Sequence, residues 1–298
     1  MLRVAAAAAV PLLSGADAGA AAASPDGPAL VAHDLTVHFG GVVAVDGVSV
    51  EVARGEVLGL IGPNGAGKTT LFDLISGHTA ADRGTVALGS LDLTSRSAAA
   101  RARAGIGRSF QDSRLFPSLT VEEAMAVALE RWIPVRDPLS AAFRTPPSVA
   151  SEAAVRAEVT QLIDLLGLGD FRSKFVGELS TGSRRIVDLA CVLAHRPELV
   201  LLDEPSSGIA QREAEALGPL LLRIRDALGA SLVVIEHDMT LITAVSDRLL
   251  ALDQGKVVTD GSPDDVLRHP EVVASYLGTE ESVLARSGPA RGRDGDRS

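Results

Sequence analysis

Val57-Leu58-Gly59-Leu60-Ile61-Gly62-Pro63-Asn64-Gly65-Ala66-Gly67-Lys68-Thr69-Thr70 is an apolar run that leads straight into a glycine-rich turn ending in Lys-Thr-Thr. Gly62, Gly67, Lys68 and Thr69 meet the spacing G-x-x-x-x-G-K-[ST] of a phosphate-binding loop. Gly62, Gly65 and Gly67 let the backbone curl with its N–H groups inward and leave no side chain to block an anion. Pro63, Asn64, Ala66 and Thr70 complete the loop. A helix is expected over Thr69 to Gly77, its N-terminal dipole favouring negative charge. Lys68 is placed to reach the β- and γ-phosphates of a nucleotide, and the Thr69 hydroxyl to ligate a Mg²⁺ bridging them. The plainer alternative is an ordinary glycine-rich strand-to-helix turn, and the strand before and helix after the loop argue against it.

Before this loop, Leu30 to Phe39 alternates like a strand, Gly40-Gly41 makes a turn, and Val48 to Val52 returns as an antiparallel partner. After it, short strands are expected at Thr85 to Leu88 and Leu91 to Leu93, a helix over Ser97 to Ala104, and extended chain over Ile106 to Phe110. The character then changes. Val121 to Leu129 reads as a helix, Trp132 to Pro147 as a loop broken by four prolines, and Ser151 to Leu166 as a long amphipathic helix. Residues 112–178 thus form a mostly helical insert. Strands return at Leu199 to Leu202 and Leu232 to Ile235, separated by a helix over Gln211 to Leu228, the pattern of a parallel sheet covered on both faces. Arg248 to Leu252 and Lys256 to Asp260 read as a closing hairpin.

With 46% hydrophobic residues in 298, the chain can build a sizeable core. A net charge of −10 argues against a nucleic-acid surface, so no DNA or RNA partner is expected. The single cysteine, Cys191, lies in an apolar run, which suits a buried structural thiol in a reducing compartment. No run of about 18 strongly apolar residues marks a membrane span. Residues 1–28 have the outline of a weak secretory signal, but their alanine-rich composition fits a disordered low-complexity leader, or a start assigned too far upstream, better. Residues 279–298 are polar and expected to be disordered. Residues 29–278 remain as one domain.

Leu199-Val200-Leu201-Leu202-Asp203-Glu204-Pro205 is an apolar strand ending in two carboxylates, at the strand end where α/β proteins bind ligands. Asp203 is placed to hold Mg²⁺ directly or through water, and Glu204 to accept a proton from an attacking water. Two acids at a strand end are weak evidence alone; beside a phosphate-binding loop they complete a metal site. The fold class is therefore α/β: a P-loop NTPase core, mainly a parallel sheet with helices on both faces plus an antiparallel β subdomain, with an inserted helical subdomain.

Leu179-Ser180-Thr181-Gly182-Ser183-Arg184-Arg185, before the helical run Ile186 to Ala194, resembles the LSGGQ-like signature of the ATP-binding subunits of ABC transporters. Thr181 replaces a glycine and Ser183 the glutamine. Ser180 and Gly182, which the resemblance places against the γ-phosphate of ATP held by the opposite subunit, are retained. The plainer reading is a serine N-cap for that helix. Gln111, in Gly107-Arg108-Ser109-Phe110-Gln111, matches the Q-loop glutamine that touches the metal or water, and His237, in Val234-Ile235-Glu236-His237-Asp238-Met239, matches the switch histidine. Phe39 sits where the family stacks an aromatic on adenine; a core-facing strand aromatic is the alternative. The family's D-loop Asp is absent from Pro205-Ser206-Ser207-Gly208-Ile209. Three runs, Phe39 to Ser49, Arg108 to Val121 and Val266 to Gly278, look like ATPases of branched-chain amino-acid importers. The resemblance spans residues 30–278 and departs at the signature and the Trp132 to Pro147 loop.

The resemblance implies an ATP hydrolase with ATP and Mg²⁺ as ligands, closing head to tail with a second ATPase subunit, identical or paralogous. Lys68, Gln111, Glu204 and His237 would act on the γ-phosphate. Polytopic membrane permease subunits would be gripped by the helical insert at the cytoplasmic face of the membrane, and a periplasmic or surface solute-binding protein would act indirectly. A small-substrate kinase would have no use for signature, switch and acidic strand in this order. A GTPase would need an N-K-x-D segment, which is absent. The nearest rival is a soluble ABC-type ATPase acting on DNA or ribosomes.

Overall fold

The computed structural model describes residues 27–109, 115–132, 143, 145–209 and 211–275. Alternating burial in β1 (Leu30–Phe39) and β2 (Val42–Val52) puts one face of each strand inward and pairs them antiparallel. β3 (Val57–Ile61) is buried at every position and runs into α1 (Lys68–Ser76). β4 (Arg83–Leu88) and β5 (Leu91–Asp92) extend the hairpin to a four-stranded antiparallel sheet in the order β2-β1-β4-β5. α2 (Ala98–Ala104), capped by Ser97, leads to β6 (Ile106–Arg108).

α3 (Val121–Leu129) opens with a reciprocal capping box between Thr120 and Glu123. α4 (Pro146–Leu166) ends on Gly167 in the left-handed region, and α5 (Thr181–Leu193) follows. Val121 N donates to Lys174 O at 3.1 Å and Val176 N to Leu119 O at 2.8 Å, strapping the two ends of this helical layer together.

β7 (Leu199–Asp203), α6 (Gln211–Leu228), β8 (Ser231–Ile235), α7 (Met239–Val245), β9 (Arg248–Asp253), β10 (Lys256–Gly261) and α8 (Pro263–Arg268) complete the described chain. The second sheet has the order β10-β9-β3-β8-β7-β6 and is parallel except for β10.

This sheet divides the interior in two. Leu58 and Leu60, Leu199 and Leu201, Val233 and Ile235, and Leu250 and Leu252 face α1 and the antiparallel sheet. Their neighbours Val57 and Ile61, Val200 and Leu202, Leu232 and Val234, and Leu249 and Ala251 face α5, α6 and α7. Strands buried on both faces explain the unbroken apolar runs in the sequence.

Several boundaries differ from the sequence expectation. Pro146 and Pro147 open α4 instead of belonging to the loop, since the first N–H groups of a helix have no intrahelical acceptor to lose. The signature helix starts at Thr181, so residues 181–185 form its first turn. Trp132 closes a 3₁₀ turn, Glu130–Trp132. The leader, apart from residues 27–28, the tail and Gln111 lie outside the described residues.

Candidate active site

The phosphate-binding loop joins the C-terminal end of β3 to α1, with Gly67 as the N-cap. Gly62 has φ 149° and Gly67 φ 98°, and a Cβ on them would lie 2.1 Å from Leu252 O and 2.5 Å from Ala44 O. The protein's own backbone therefore demands these glycines, whereas Gly65 (φ 83°) meets only open space. Lys68, 6% exposed, donates from Nζ to Gly62 O at 2.7 Å and Pro63 O at 3.0 Å, folding its ammonium back over the loop. Burial holds its pKa below the ordinary lysine value, against the pull of Glu204 and Asp203. Ala66 is buried, Asn64 and Thr69 are exposed, and Pro63 and Thr70 are half-buried.

Across the sheet, Asp203 ends β7 at 5% exposure. Burial pushes its carboxyl above the ordinary aspartate value, opposed by Arg108. Arg108 donates from Nη1 to Asp73 Oδ1 at 2.6 Å and Ser76 Oγ at 2.7 Å, and its Nη2 lies 4.0 Å from Asp203 Oδ2. Asp203 Oδ1 is buried without a hydrogen-bond partner among the described residues. A buried, unsatisfied carboxylate oxygen at this strand end fits a divalent cation. No group of three His, Cys, Asp or Glu among the described residues could hold a metal alone, so phosphate oxygens would have to share the coordination.

Glu204 follows in a left-handed conformation, φ 48°, which costs a non-glycine residue about 1–3 kcal/mol and must be held by its surroundings. Its N–H donates to Ile235 O at 2.9 Å, and its carbonyl accepts from Ser207 N at 3.1 Å and Arg185 Nη1 at 2.6 Å. His237 Nε2 lies 3.0 Å from Glu204 Oε1; a carboxylate only accepts, so Nε2 carries the proton. The sequence reading had named the pair of acids and the histidine but not Arg108, Arg185 or Glu236. Glu236 was visible only as the neighbour of His237, and the two arginines as charges beside motifs.

Phe39 is 53% exposed beside Val42 and Val43, so it is not the core-facing aromatic the strand pattern allowed. Its hairpin is tied to the loop through Asp46 N to Gly255 O at 2.8 Å and Gly255 N to Ala66 O at 3.0 Å. Ser180 caps α5, its Oγ accepting from Ser183 N at 3.1 Å, and Gly182 is buried in the first turn. Among the described residues no hydrogen bond links either to Lys68 or Glu204; from the same helix Arg185 bonds Glu204 O.

Phosphate loop, acidic strand end and a histidine just after the next parallel strand define a P-loop nucleoside triphosphatase. The family model "ABC transporter" matches residues 45–207, and "Branched-chain amino acid ATP-binding cassette transporter" matches residues 256–282. The high-affinity branched-chain amino acid transport ATP-binding protein BraF of Pseudomonas aeruginosa is 33% identical over 251 residues, covering 84% of this chain and 98% of BraF. LivG of Escherichia coli, of the same description, is 32% identical with the same coverage. A solved ATP-binding cassette of an ABC transporter in its ADP conformation superposes with a TM-score of 0.70 at 29% identity, covering 84% of this chain and 99% of its own. The chain belongs to the ABC transporter ATP-binding family and is an ATP hydrolase.

Proposed function

We propose that this subunit powers import of branched-chain amino acids, or a related small polar solute, from the cytoplasmic face of the membrane. Support comes from the relatives BraF and LivG and from the match over residues 256–282. Residues 29–278 act as one ATPase domain whose helical insert takes up residues 112–178.

The observation that carries the chemistry is the Glu204–His237 bond at 3.0 Å, beside the unpaired Asp203 oxygen. Glu204 orients and deprotonates the attacking water, and His237, once its Nε2 proton turns from Glu204, faces with Lys68 the charge developing on the transferred phosphoryl group. Lys68 must leave its carbonyl partners to do so. Asp203, Thr69 and Gln111 would hold Mg²⁺, which supplies Lewis-acid stabilisation when bound. Ser180 and Gly182 serve the ATP of a second subunit, and Phe39 stacks on adenine.

The groove between α2, the turn after α3 and the end of α5 encloses about 310 Å³ and is lined by His78, Ala98, Ala102, Arg108, Arg131 and His195. Glu204→Gln tests the chemistry: ATP binding should persist while turnover falls by about 10³-fold, as removing a base requires. Unchanged turnover would refute the assignment. Recovery of the chain with a polytopic membrane protein supports transport, and recovery with nucleic acid or ribosomes supports the soluble alternative.

A further inference from the structure

Glu236 is a buried carboxylate, 2% exposed, with no part in the chemistry above. Ionised carboxylates are costly to bury unless their oxygens are matched by donors. Here both are. Oε1 accepts from Ser206 N at 2.9 Å and Oε2 from His237 N at 2.9 Å. The first donor lies two residues after Glu204, on the loop leaving β7; the second lies on the loop leaving β8. These strands are in parallel register, with Asp203 opposite Ile235, so the carboxylate stands between the two loops as they diverge.

A closed ring of contacts results. Glu236 holds Ser206 and His237, Glu204 lies on the same loop as Ser206, and the Glu204 carboxylate returns to His237 Nε2 at 3.0 Å. Charge-assisted bonds to backbone donors resist displacement more than neutral ones. We propose that Glu236 is the positioning residue that fixes Glu204 and His237 relative to one another for hydrolysis, so that a shift of His237 is passed to the Ser206 loop and thence to Glu204. The inference rests on those two residues acting in catalysis. Glu204→Gln and His237→Ala test that separately, since wild-type turnover in both would defeat the site reading whatever Glu236 does.

Glu236→Gln keeps the shape but turns an NH₂ toward one of the two N–H donors, so one tether is lost. The expected result is a fall in kcat of about tenfold, with KM for ATP and equilibrium ATP binding within about twofold of wild type. In a His237→Ala background the same substitution should cost much less, because the partner it positions is gone. Turnover within twofold of wild type, or full multiplicative loss in the His237→Ala background, would overturn the proposal. Hydrogen exchange on the wild-type protein gives an answer independent of the variant's folding. Ser206 and His237 amides should exchange as slowly as those of β7 and β8; exchange at the rate of exposed loops would overturn it.

Discussion

The two halves of the site are built on different principles. Residues 62–70 form a phosphate cradle from one contiguous stretch, in which Lys68 bonds the carbonyls five and six positions before it. The opposite wall is assembled from four separated pieces: Arg108 at β6, Arg185 on α5, Asp203 to Ser207 after β7, and Glu236–His237 after β8. A local cradle can be written as a motif. A wall held by long-range contacts can be recognised only where its chemistry has a signature spacing.

The largest expected effect would break the idea that the cradle is purely local. Gly62→Ala places a Cβ 2.1 Å from Leu252 O, a backbone atom that cannot turn aside, whereas Gly65→Ala meets open space. The first should lower stability by about 3 kcal/mol or more, and the second by about 1 kcal/mol, the cost of its positive φ alone. Denaturant unfolding of both variants measures the difference. Equal effects would mean that β9 does not constrain the loop.

This contrast also explains what the sequence could and could not disclose. The parallel strands were legible because burial on both faces leaves apolar runs such as Leu199 to Leu202, and the helix expected over Val121 to Leu129 coincides with α3. Lys68, Asp203, Glu204 and His237 could be proposed by type and order, and the structure places Glu204 and His237 in contact. Arg185 and Glu236 were not, because each acts on a backbone atom, and any residue supplies a carbonyl or an N–H. The bond from Arg185 to Glu204 O spans 19 positions and leaves no pattern. The start of α4 was missed for a different reason: prolines signal loops in most contexts, and only their place in the first turn makes them compatible with a helix.

A second prediction concerns α5, which carries both the signature and Arg185. One turn beyond Arg185, Asp188 borders an apolar cavity of about 140 Å³ shared with Leu189, Leu217 and Leu220. Burial pushes its pKa from 3.8 up to about 6, with Arg185 acting in the opposite direction. Because the folded state holds the proton to higher pH than the unfolded chain, stability falls as pH rises from about 4 to 6, and the penalty is fully present above that window. Asp188→Asn should therefore be more stable than wild type by about 2 kcal/mol at pH 8, and equal to it below pH 4. Thermal unfolding across pH 4 to 8 tests this. A pH-independent difference would show that packing, not ionisation, governs the position.

The smallest effect sharpens the comparison most, because it asks whether the assembled wall is tuned by the helix that would face the second subunit. Arg185→Met keeps an unbranched apolar stem while removing the donor to Glu204 O. Glu204 would then keep its left-handed backbone with two main-chain bonds instead of three contacts, and its carboxylate would sample positions away from His237. Turnover should fall by about tenfold, roughly 1.4 kcal/mol of barrier, while ATP affinity, set in the cradle, stays the same. Arg185→Lys should recover part of the loss, since an ammonium can donate to one carbonyl without the guanidinium's fixed geometry. The Met substitution also removes the cation that opposes the rise of the Asp188 pKa, so the pH-dependent loss of stability should grow and extend above pH 6. Turnover at the wild-type level together with that enlarged pH dependence would confine Arg185 to neutralising Asp188, and the signature helix would then have no hold on the base. A loss of turnover that lysine partly restores would show that α5, the helix that also carries Ser180 and Gly182, holds Glu204 in place.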